Sequence, residues 1–141
     1  MRAYPADRRP DVLLVDDEPS ITEFLRRIFI EFDVREASGV CPALQAIDER
    51  VPDAVVTDLG MDDGGGRYLL AILADRFPNV LRIVYSAAPA GELIRLMESG
   101  LAHAAVQKSG DWSVLRRALS RVADRGDAVG LRGRPNLAVV R

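Results

Sequence analysis

Short strand-like segments alternate with helix-like segments five times along the chain, and four of the strand-like segments end at a polar residue. The clearest of them, residues 11–15 and 53–57, are rich in branched side chains, as is typical of strands buried on both faces of a sheet. Three more strands are predicted over residues 33–37, 80–85 and 103–107. This alternation predicts an α/β fold in which a five-stranded parallel sheet is doubly wound, with helices on both of its faces.

Helical spacing of apolar residues predicts a helix after each strand. Ser20 is expected to cap the first helix, with Glu23 completing a capping box. The buried face of this helix is expected to carry Ile21, Phe24, Leu25, Ile28 and Phe29. The other four helices are predicted over residues 42–50, from about residue 67 to the break at Pro78, over residues 91–98 and over residues 112–124.

The length of 141 residues suits one domain, which we expect to span residues 11–125. Residues 1–10 are expected to form an N-terminal arm, and residues 126–141 a tail that is either flexible or an extended segment docked on a sheet edge. No apolar run is long enough for a membrane span, and the net charge of −2 gives no sign of direct nucleic-acid binding. The single cysteine, Cys41, excludes an internal disulfide and agrees with a cytoplasmic location.

Polar residues stand where four of the predicted strands end: Asp16 and Asp17, then Asp58, Ser86 and Lys108. The carboxyl ends of parallel strands meet at one edge of the sheet, where open α/β folds bind their ligands. Lys108 is also the only lysine among 19 basic residues. A compact ammonium on a flexible stem meets a need that the planar guanidinium of arginine does not meet. We therefore expect these five side chains to converge on one pocket.

Three crowded carboxylates repel one another unless a cation lies among them, and Mg2+ prefers oxygen ligands of this kind. A carboxylate is also a nucleophile that can form an aspartyl phosphate. Phosphoryl transfer depends mainly on placement and charge neutralisation, and Mg2+, the Lys108 ammonium and the Ser86 hydroxyl would each serve one phosphoryl oxygen. The alternative is that each aspartate merely caps a turn or a helix start, which is a common role for a single aspartate.

Four segments stand in order and with ordinary spacing over residues 11–125. They are Val15-Asp16-Asp17-Glu18-Pro19, Thr57-Asp58-Leu59-Gly60-Met61, Tyr85-Ser86-Ala87 and Lys108. Together they resemble the receiver domains of response regulators in two-component signalling, of the chemotaxis-regulator kind. The resemblance implies a flavodoxin-like fold with the strand order 2-1-3-4-5.

The resemblance also implies roles for the residues of the pocket. Asp58 would be the phosphoacceptor, and Ser86 and Lys108 would bind phosphoryl oxygens. Mg2+ would be the cofactor, and its protein ligands would be Asp16, Asp17, Asp58 and the backbone carbonyl of Gly60. A histidine kinase or a phosphotransfer protein would supply the phosphoryl group, and output would pass to a downstream protein partner. Such a chain would catalyse only its own phosphorylation and dephosphorylation.

Several positions depart from the family pattern. Asp62 and Ser109 stand where family members usually carry proline, and Ala105 stands where they carry a tyrosine or phenylalanine that moves inward on activation. These departures keep open a pseudo-receiver, an interaction module that does not use phosphorylation. A phosphatase-type hydrolase is a weaker alternative, because it needs a second aspartate where this chain has Gly60. Gly60 and Ala88 also offer no side chain to orient a hydrolytic water, so we expect no fast self-hydrolysis of the phosphorylated form.

Overall fold

The computed structural model describes residues 8–61, 65–108 and 111–122, together with the backbone of residues 139–140. Its strands are β1 (Asp11–Val15), β2 (Asp33–Ala37), β3 (Ala54–Thr57), β4 (Leu81–Ser86), β5 (Ala104–Gln107) and β6 (Val139–Val140). All of them pair in parallel, in the order β2-β1-β3-β4-β5-β6. The predicted fold class is confirmed, including the order 2-1-3-4-5 of the first five strands.

A short sixth strand extends the predicted sheet. β6 pairs with the outer edge of β5 in the registers Ala105–Val139 and Val106–Val140. An edge strand otherwise presents backbone N–H and C=O groups that have no strand partner. Residues 126–138 and 141 of the predicted tail lie outside the described residues, so the character of the tail as a whole stays a prediction.

In the described part of the chain, five helices cover the two faces of the sheet. They are α1 (Pro19–Ile28), α2 (Val40–Glu49), α3 (Gly66–Arg76), α4 (Ala90–Glu98) and α5 (Trp112–Ser120). α1 and α5 pack on one face, where Leu25, Phe29 and Leu115 are buried against sheet residues. α2, α3 and α4 pack on the other face, in two clusters. Because both faces are covered, β1 and β3 are buried along their whole length, which explains their continuous apolar sequences.

The start of α1 differs from the prediction. The helix begins at Pro19, with Glu18 in the N-cap position and no side-chain cap. Ser20 is therefore not the cap, and the predicted capping box with Glu23 is wrong. The reason lies in Pro19, whose fixed φ suits a first helical turn and whose missing N–H needs no partner there.

One residue of the predicted buried face of α1 is also misplaced. Phe24 is 47% exposed, whereas Leu25 and Phe29 are almost fully buried. Successive helical residues are rotated by about 100° from one another, so Phe24 falls at the margin of the apolar stripe that Leu25 and Phe29 centre on the sheet.

Some predictions fall on residues outside the described ranges. These are residues 1–7 of the N-terminal arm, Asp62, Ser109 and residues 123–124 at the end of the last predicted helix. Within the described ranges, no helix combines the length and the apolar character needed to cross a membrane.

A buried arginine fastens the end of α4 to the sheet. Arg82 lies within β4 and is only 6% exposed, and its guanidinium donates to the carbonyl oxygens of Leu101 at 2.9 Å and Gly100 at 3.1 Å. Burial lowers the pKa of Arg82 from its ordinary value. These hydrogen bonds to carbonyl oxygens compensate part of the cost of burying the cation. His103 takes a structural role beside it, since its Nδ1 accepts from the Arg82 backbone N–H at 2.9 Å.

Gly66, the first residue of α3, lies against the backbone of Asp58. A Cβ at position 66 would be 2.0 Å from the Asp58 carbonyl oxygen and 3.0 Å from the Thr57 hydroxyl oxygen. We expect Gly66→Ala to lower the free energy of unfolding by about 1–3 kcal/mol, because packed backbone must shift to admit the methyl group. Urea denaturation measures this loss.

Gly91→Ala is the matched control, because a Cβ at position 91 of α4 would meet its nearest neighbour at an ordinary 3.7 Å. Alanine is the better helix former, so this variant is expected to keep the wild-type stability or gain up to about 1 kcal/mol. Equal losses in the two variants would contradict a special close approach at Gly66.

Candidate functional site

The ends of four neighbouring strands bring the predicted site residues together. Asp16 and Asp17 follow β1, Asp58 follows β3, Ser86 is the last residue of β4, and Lys108 follows β5. Strand pairing continues into this edge, since the Asp58 N–H donates to the last residue of β1 at 3.0 Å and the Lys108 N–H donates to the Ser86 carbonyl at 2.9 Å. The position of each side chain is thereby set by the sheet itself.

Three carboxylates lie within reach of a single ion. Asp16, Asp17 and Asp58 each offer one carboxylate oxygen, and these oxygens all lie within 4.8 Å of one another. Oxygens on opposite sides of one Mg2+ ion are about 4 Å apart, so a small closing movement brings this donor set to magnesium geometry. An all-oxygen set of this charge fits a hard divalent cation.

The Asp58 carboxylate has a different partner on each oxygen. Oδ1 accepts from the backbone N–H of Leu59 at 2.8 Å, and Oδ2 faces the Lys108 ammonium at 3.3 Å. The hydroxyl of Thr57 donates to the Asp58 carbonyl at 2.9 Å, which fixes the adjoining peptide. One carboxylate oxygen is thus bound by a backbone N–H, and the other by the end of a long side chain.

Lys108 is the cation that compensates these carboxylates in the structure. Its Nζ lies 2.7 Å from Asp16 Oδ2, 3.3 Å from Asp58 Oδ2 and 3.8 Å from Glu18 Oε1. The Lys108 side chain is 13% exposed, and those of Asp16 and Asp58 are 6% and 12% exposed. The pairing is therefore weakly screened by water, and the ammonium occupies the space between two predicted metal ligands.

The charge of Lys108 is stabilised by its partners. Burial alone would lower the pKa of the ammonium, but the hydrogen bond and charge of Asp16, followed by those of Asp58, outweigh burial and raise the pKa above its ordinary value. While its carboxylate partners are charged, this pairing stabilises the fold at pH values below the ordinary lysine pKa. The contribution of the ammonium is lost as pH rises through the raised value.

The Ser86 hydroxyl is enclosed at the same edge. Ser86 is 3% exposed, and its Oγ accepts from the backbone N–H of Ala88 at 3.2 Å. Gly60 lies two residues after Asp58, is exposed, and has nothing within 4 Å of the position a Cβ would take. Its backbone is therefore open to solvent beside the carboxylates.

Ala105 is fully buried, in one cluster with Leu93 and Leu96 of α4. The resemblance implies an aromatic side chain at this position. In the structure, α4 covers the position. Its methyl group gives β5 no long side chain at this position.

Three residues contribute to the site without having been assigned a role from the sequence. Glu18 adds a third carboxylate near Lys108, as noted above. Tyr85 is buried in the core, its ring centre lies 5.9 Å from Lys108 Nζ, and burial raises its pKa. Gln107 donates from its side chain to the Ala88 carbonyl at 2.8 Å. A polar residue next to Lys108, at the end of an apolar strand, was the available signal for Gln107.

Comparison with known proteins shows which family the chain belongs to. The model of the response regulator receiver domain family matches residues 12–120 of the chain. A curated protein from Hahella chejuensis, protein-glutamate methylesterase/protein-glutamine glutaminase 3, is 32% identical over 91 residues. The alignment covers 62% of this chain but 26% of that protein, so the chain spans about a quarter of the relative's length.

Solved structures share the fold. The signal receiver domain of an HD domain-containing protein from Pseudomonas fluorescens superposes with a TM-score of 0.78 at 24% identity, covering 94% of this chain and 99% of that one. A Francisella response regulator receiver domain gives 0.76 at 26% identity, covering 84% and 100%. A response regulator from Thermotoga maritima, solved in complex with Mg2+–BeF, gives 0.72 at 23% identity, covering 80% and 98%.

Removing the Lys108 ammonium leaves the Asp16 and Asp58 carboxylates close together and poorly hydrated. We expect Lys108→Met to lower the free energy of unfolding by about 2–4 kcal/mol in a buffer containing a chelator, because breaking a buried ion pair from one side leaves uncompensated charge. Urea denaturation at neutral pH gives the value.

Arg27→Met provides the control, since Arg27 pairs with Glu23 on the exposed face of α1. That exposed pair is expected to contribute less than about 0.5 kcal/mol. A Lys108 variant no less stable than the Arg27 variant would show that the carboxylates do not depend on the ammonium.

Proposed function

We propose that this chain, which belongs to the response regulator receiver domain family, is a phosphoryl-accepting switch of two-component signal transduction with Asp58 as its phosphoacceptor. One observation carries the proposal: Asp58 lies within an acidic cluster and faces the lone lysine at 3.3 Å. A nucleophilic carboxylate, a candidate metal site and a mobile cation therefore meet at one point.

The transfer itself needs little covalent chemistry from the protein. A carboxylate oxygen of Asp58 attacks the phosphorus of a phosphohistidine or a small acyl phosphate, and a new P–O bond forms. The bond from phosphorus to the donor breaks, and its electron pair leaves with the imidazole nitrogen or the donor carboxylate. The task of the surrounding residues is to place the two reactants and to balance their charge.

Mg2+ is the expected cofactor, held by Asp16, Asp17, Asp58 and the backbone carbonyl of Gly60. Once bound, the ion supplies neutralising charge to the carboxylates and to one phosphoryl oxygen. Support comes from the spacing of the carboxylate oxygens, all within 4.8 Å of one another. The Thermotoga maritima neighbour, solved in complex with Mg2+–BeF, agrees with a site of this chemistry.

Lys108 and Ser86 then serve the other two phosphoryl oxygens. Lys108 is paired with Asp16 and Asp58 in the structure; with a divalent ion compensating these carboxylates, its flexible stem would let the ammonium turn to an incoming phosphoryl oxygen. The Ser86 hydroxyl still has its hydrogen to donate, because its known partner, the Ala88 N–H, uses only a lone pair.

The phosphoryl donor in this proposal is a histidine kinase or a phosphotransfer protein in the cytoplasm, and output passes to a protein partner. The added charge of about −1.5 to −2 is the signal that biases the loops around the site. The chain acts as a switch rather than an enzyme on other substrates. The methylesterase activity named for the Hahella chejuensis relative belongs to a protein of which this chain spans about a quarter.

A pseudo-receiver is the second candidate, favoured by Ala105. The residue is an alanine buried beneath α4, so this position has no aromatic side chain that could carry a change from Ser86 to the surface of β5. The intact carboxylate cluster and the pairing of Lys108 with Asp58 favour the phosphorylated switch instead.

Intact-mass analysis tests the switch directly. After incubation with acetyl phosphate and Mg2+, the chain is expected to gain one phosphoryl group, and Asp58→Asn or an excess of chelator should abolish the gain. Mg2+ binding without any gain in mass, also when a panel of phosphorylated histidine kinases is supplied, would favour the pseudo-receiver.

The phosphorylated form is expected to last for minutes or longer, because Gly60 and Ala88 carry no side chain that orients a hydrolytic water. The decay of the phosphorylated mass after removal of the donor measures this lifetime. Gly60→Gln introduces an amide where the structure leaves open space, so it should shorten the lifetime without disturbing the packing. A wild-type half-life of seconds would contradict the expectation.

A further inference from the structure

A single side-chain hydrogen bond links the strand that carries Lys108 to the loop that follows Ser86. Gln107, the last residue of β5, donates from Nε2 to the backbone carbonyl of Ala88 at 2.8 Å. Gln107 is half-buried and lies directly beside Ser86 in the register of β4 and β5. Residues 87–89 connect β4 to α4. Gln107 therefore determines where the first part of this loop lies relative to the sheet.

The same loop residue fixes the Ser86 hydroxyl. The backbone N–H of Ala88 donates to Ser86 Oγ at 3.2 Å. A hydroxyl has one hydrogen to donate and two lone pairs that accept, so this bond leaves the hydrogen available while it restricts the direction in which the hydrogen points. Ser86 is 3% exposed, so the bond to Ala88 is shielded from competing water. Displacing Ala88 would therefore misdirect the hydroxyl.

Strand geometry explains why the side chain at position 107 can reach the loop after Ser86. Side chains two residues apart on a strand point to the same face, so Gln107 follows Ala105 on the side of β5 that faces α4. The Ala105 methyl group is buried among α4 residues and does not extend toward the loop. Gln107 is the side chain of this face that reaches Ala88.

We propose that Gln107 is a positioning residue of the phosphoacceptor site, acting through Ala88 to hold the Ser86 hydroxyl ready to donate to a phosphoryl oxygen. This inference rests on the proposed function, since it assigns Ser86 a phosphoryl oxygen as its acceptor. A donor that is oriented before the reaction avoids the cost of being ordered during it, so the contact should appear in the rate of phosphorylation.

The first test compares initial rates of phosphorylation by acetyl phosphate and Mg2+, followed by intact mass. Gln107→Leu, which keeps the bulk but lacks the donor, is expected to be about 3- to 10-fold slower, the rate equivalent of one lost hydrogen bond. Gln107→Asn, one methylene shorter, should show a similar loss and provides a second variant if the leucine variant does not fold. The Mg2+ concentration at half-maximal rate should stay unchanged, because Gln107 has no contact with the carboxylate cluster among its described hydrogen bonds.

Gln45→Leu is the matched control. Gln45 is the only other glutamine of the chain and is exposed on α2, so its loss should leave the rate unchanged. Circular dichroism and thermal melting of each variant separate a loss of folded protein from a slower reaction of folded protein.

A double-mutant cycle with Ser86→Ala decides whether Gln107 acts through Ser86. If it does, Gln107→Leu slows the wild-type chain but adds no further loss to the Ser86→Ala chain. Wild-type rates in both Gln107 variants, or equal losses with and without Ser86, would overturn the positioning role and leave the proposed function intact. A wild-type chain that takes no phosphoryl group from any donor would overturn the proposed function, and the positioning role with it.

Discussion

Carboxylate crowding at the carboxyl edge of the sheet is the constraint on which the site depends. Asp16 and Asp58 lie close together with little exposure, and charges of one sign in such a place are tolerated only beside a cation. Lys108 supplies that cation from a point 92 residues beyond Asp16 in the chain. β3 and β4 lie between β1 and β5, and the long lysine side chain spans this distance because all four strands end at one edge of the sheet. The strand order is thus a precondition for the electrostatic balance of the pocket.

α4, next to the pocket, is held by side-chain contacts near both of its ends. Arg67 and Glu92 form an ion pair that joins the start of α3 to the start of α4, and Arg82 holds the carbonyl groups just beyond its other end. Ala105 is buried beneath the helix, so this chain has no aromatic side chain there to change position. The backbone of residues 87–89 is the direct covalent connection between Ser86 and α4.

The sequence was sufficient for the buried strands and for the convergence of the site, because the four inner strands are largely apolar runs and a polar residue marks the end of each. Local patterns were less informative at α1, where the fixed φ of Pro19 decided the start of the helix and Ser20 did not. Contacts made by Arg82 and Gln107 could not be predicted, because each joins segments distant along the chain through side-chain geometry. Periodicity predicts which face of a helix or strand a residue lies on, but it does not predict which backbone atom its side chain will hydrogen-bond.

Charge arithmetic connects the lone lysine to the need for a divalent ion. Asp16, Asp17, Asp58 and Lys108 carry a formal total of about −2. A phosphoryl group on Asp58 replaces one carboxylate charge with about −2, so the same set would reach about −3. One ammonium cannot balance that total in a partly buried site, whereas a divalent cation brings it to about −1. In the proposed switch, a divalent ion would therefore take over the charge balance that Lys108 provides for Asp16 and Asp58 in this structure, and the ammonium would then be available to a phosphoryl oxygen.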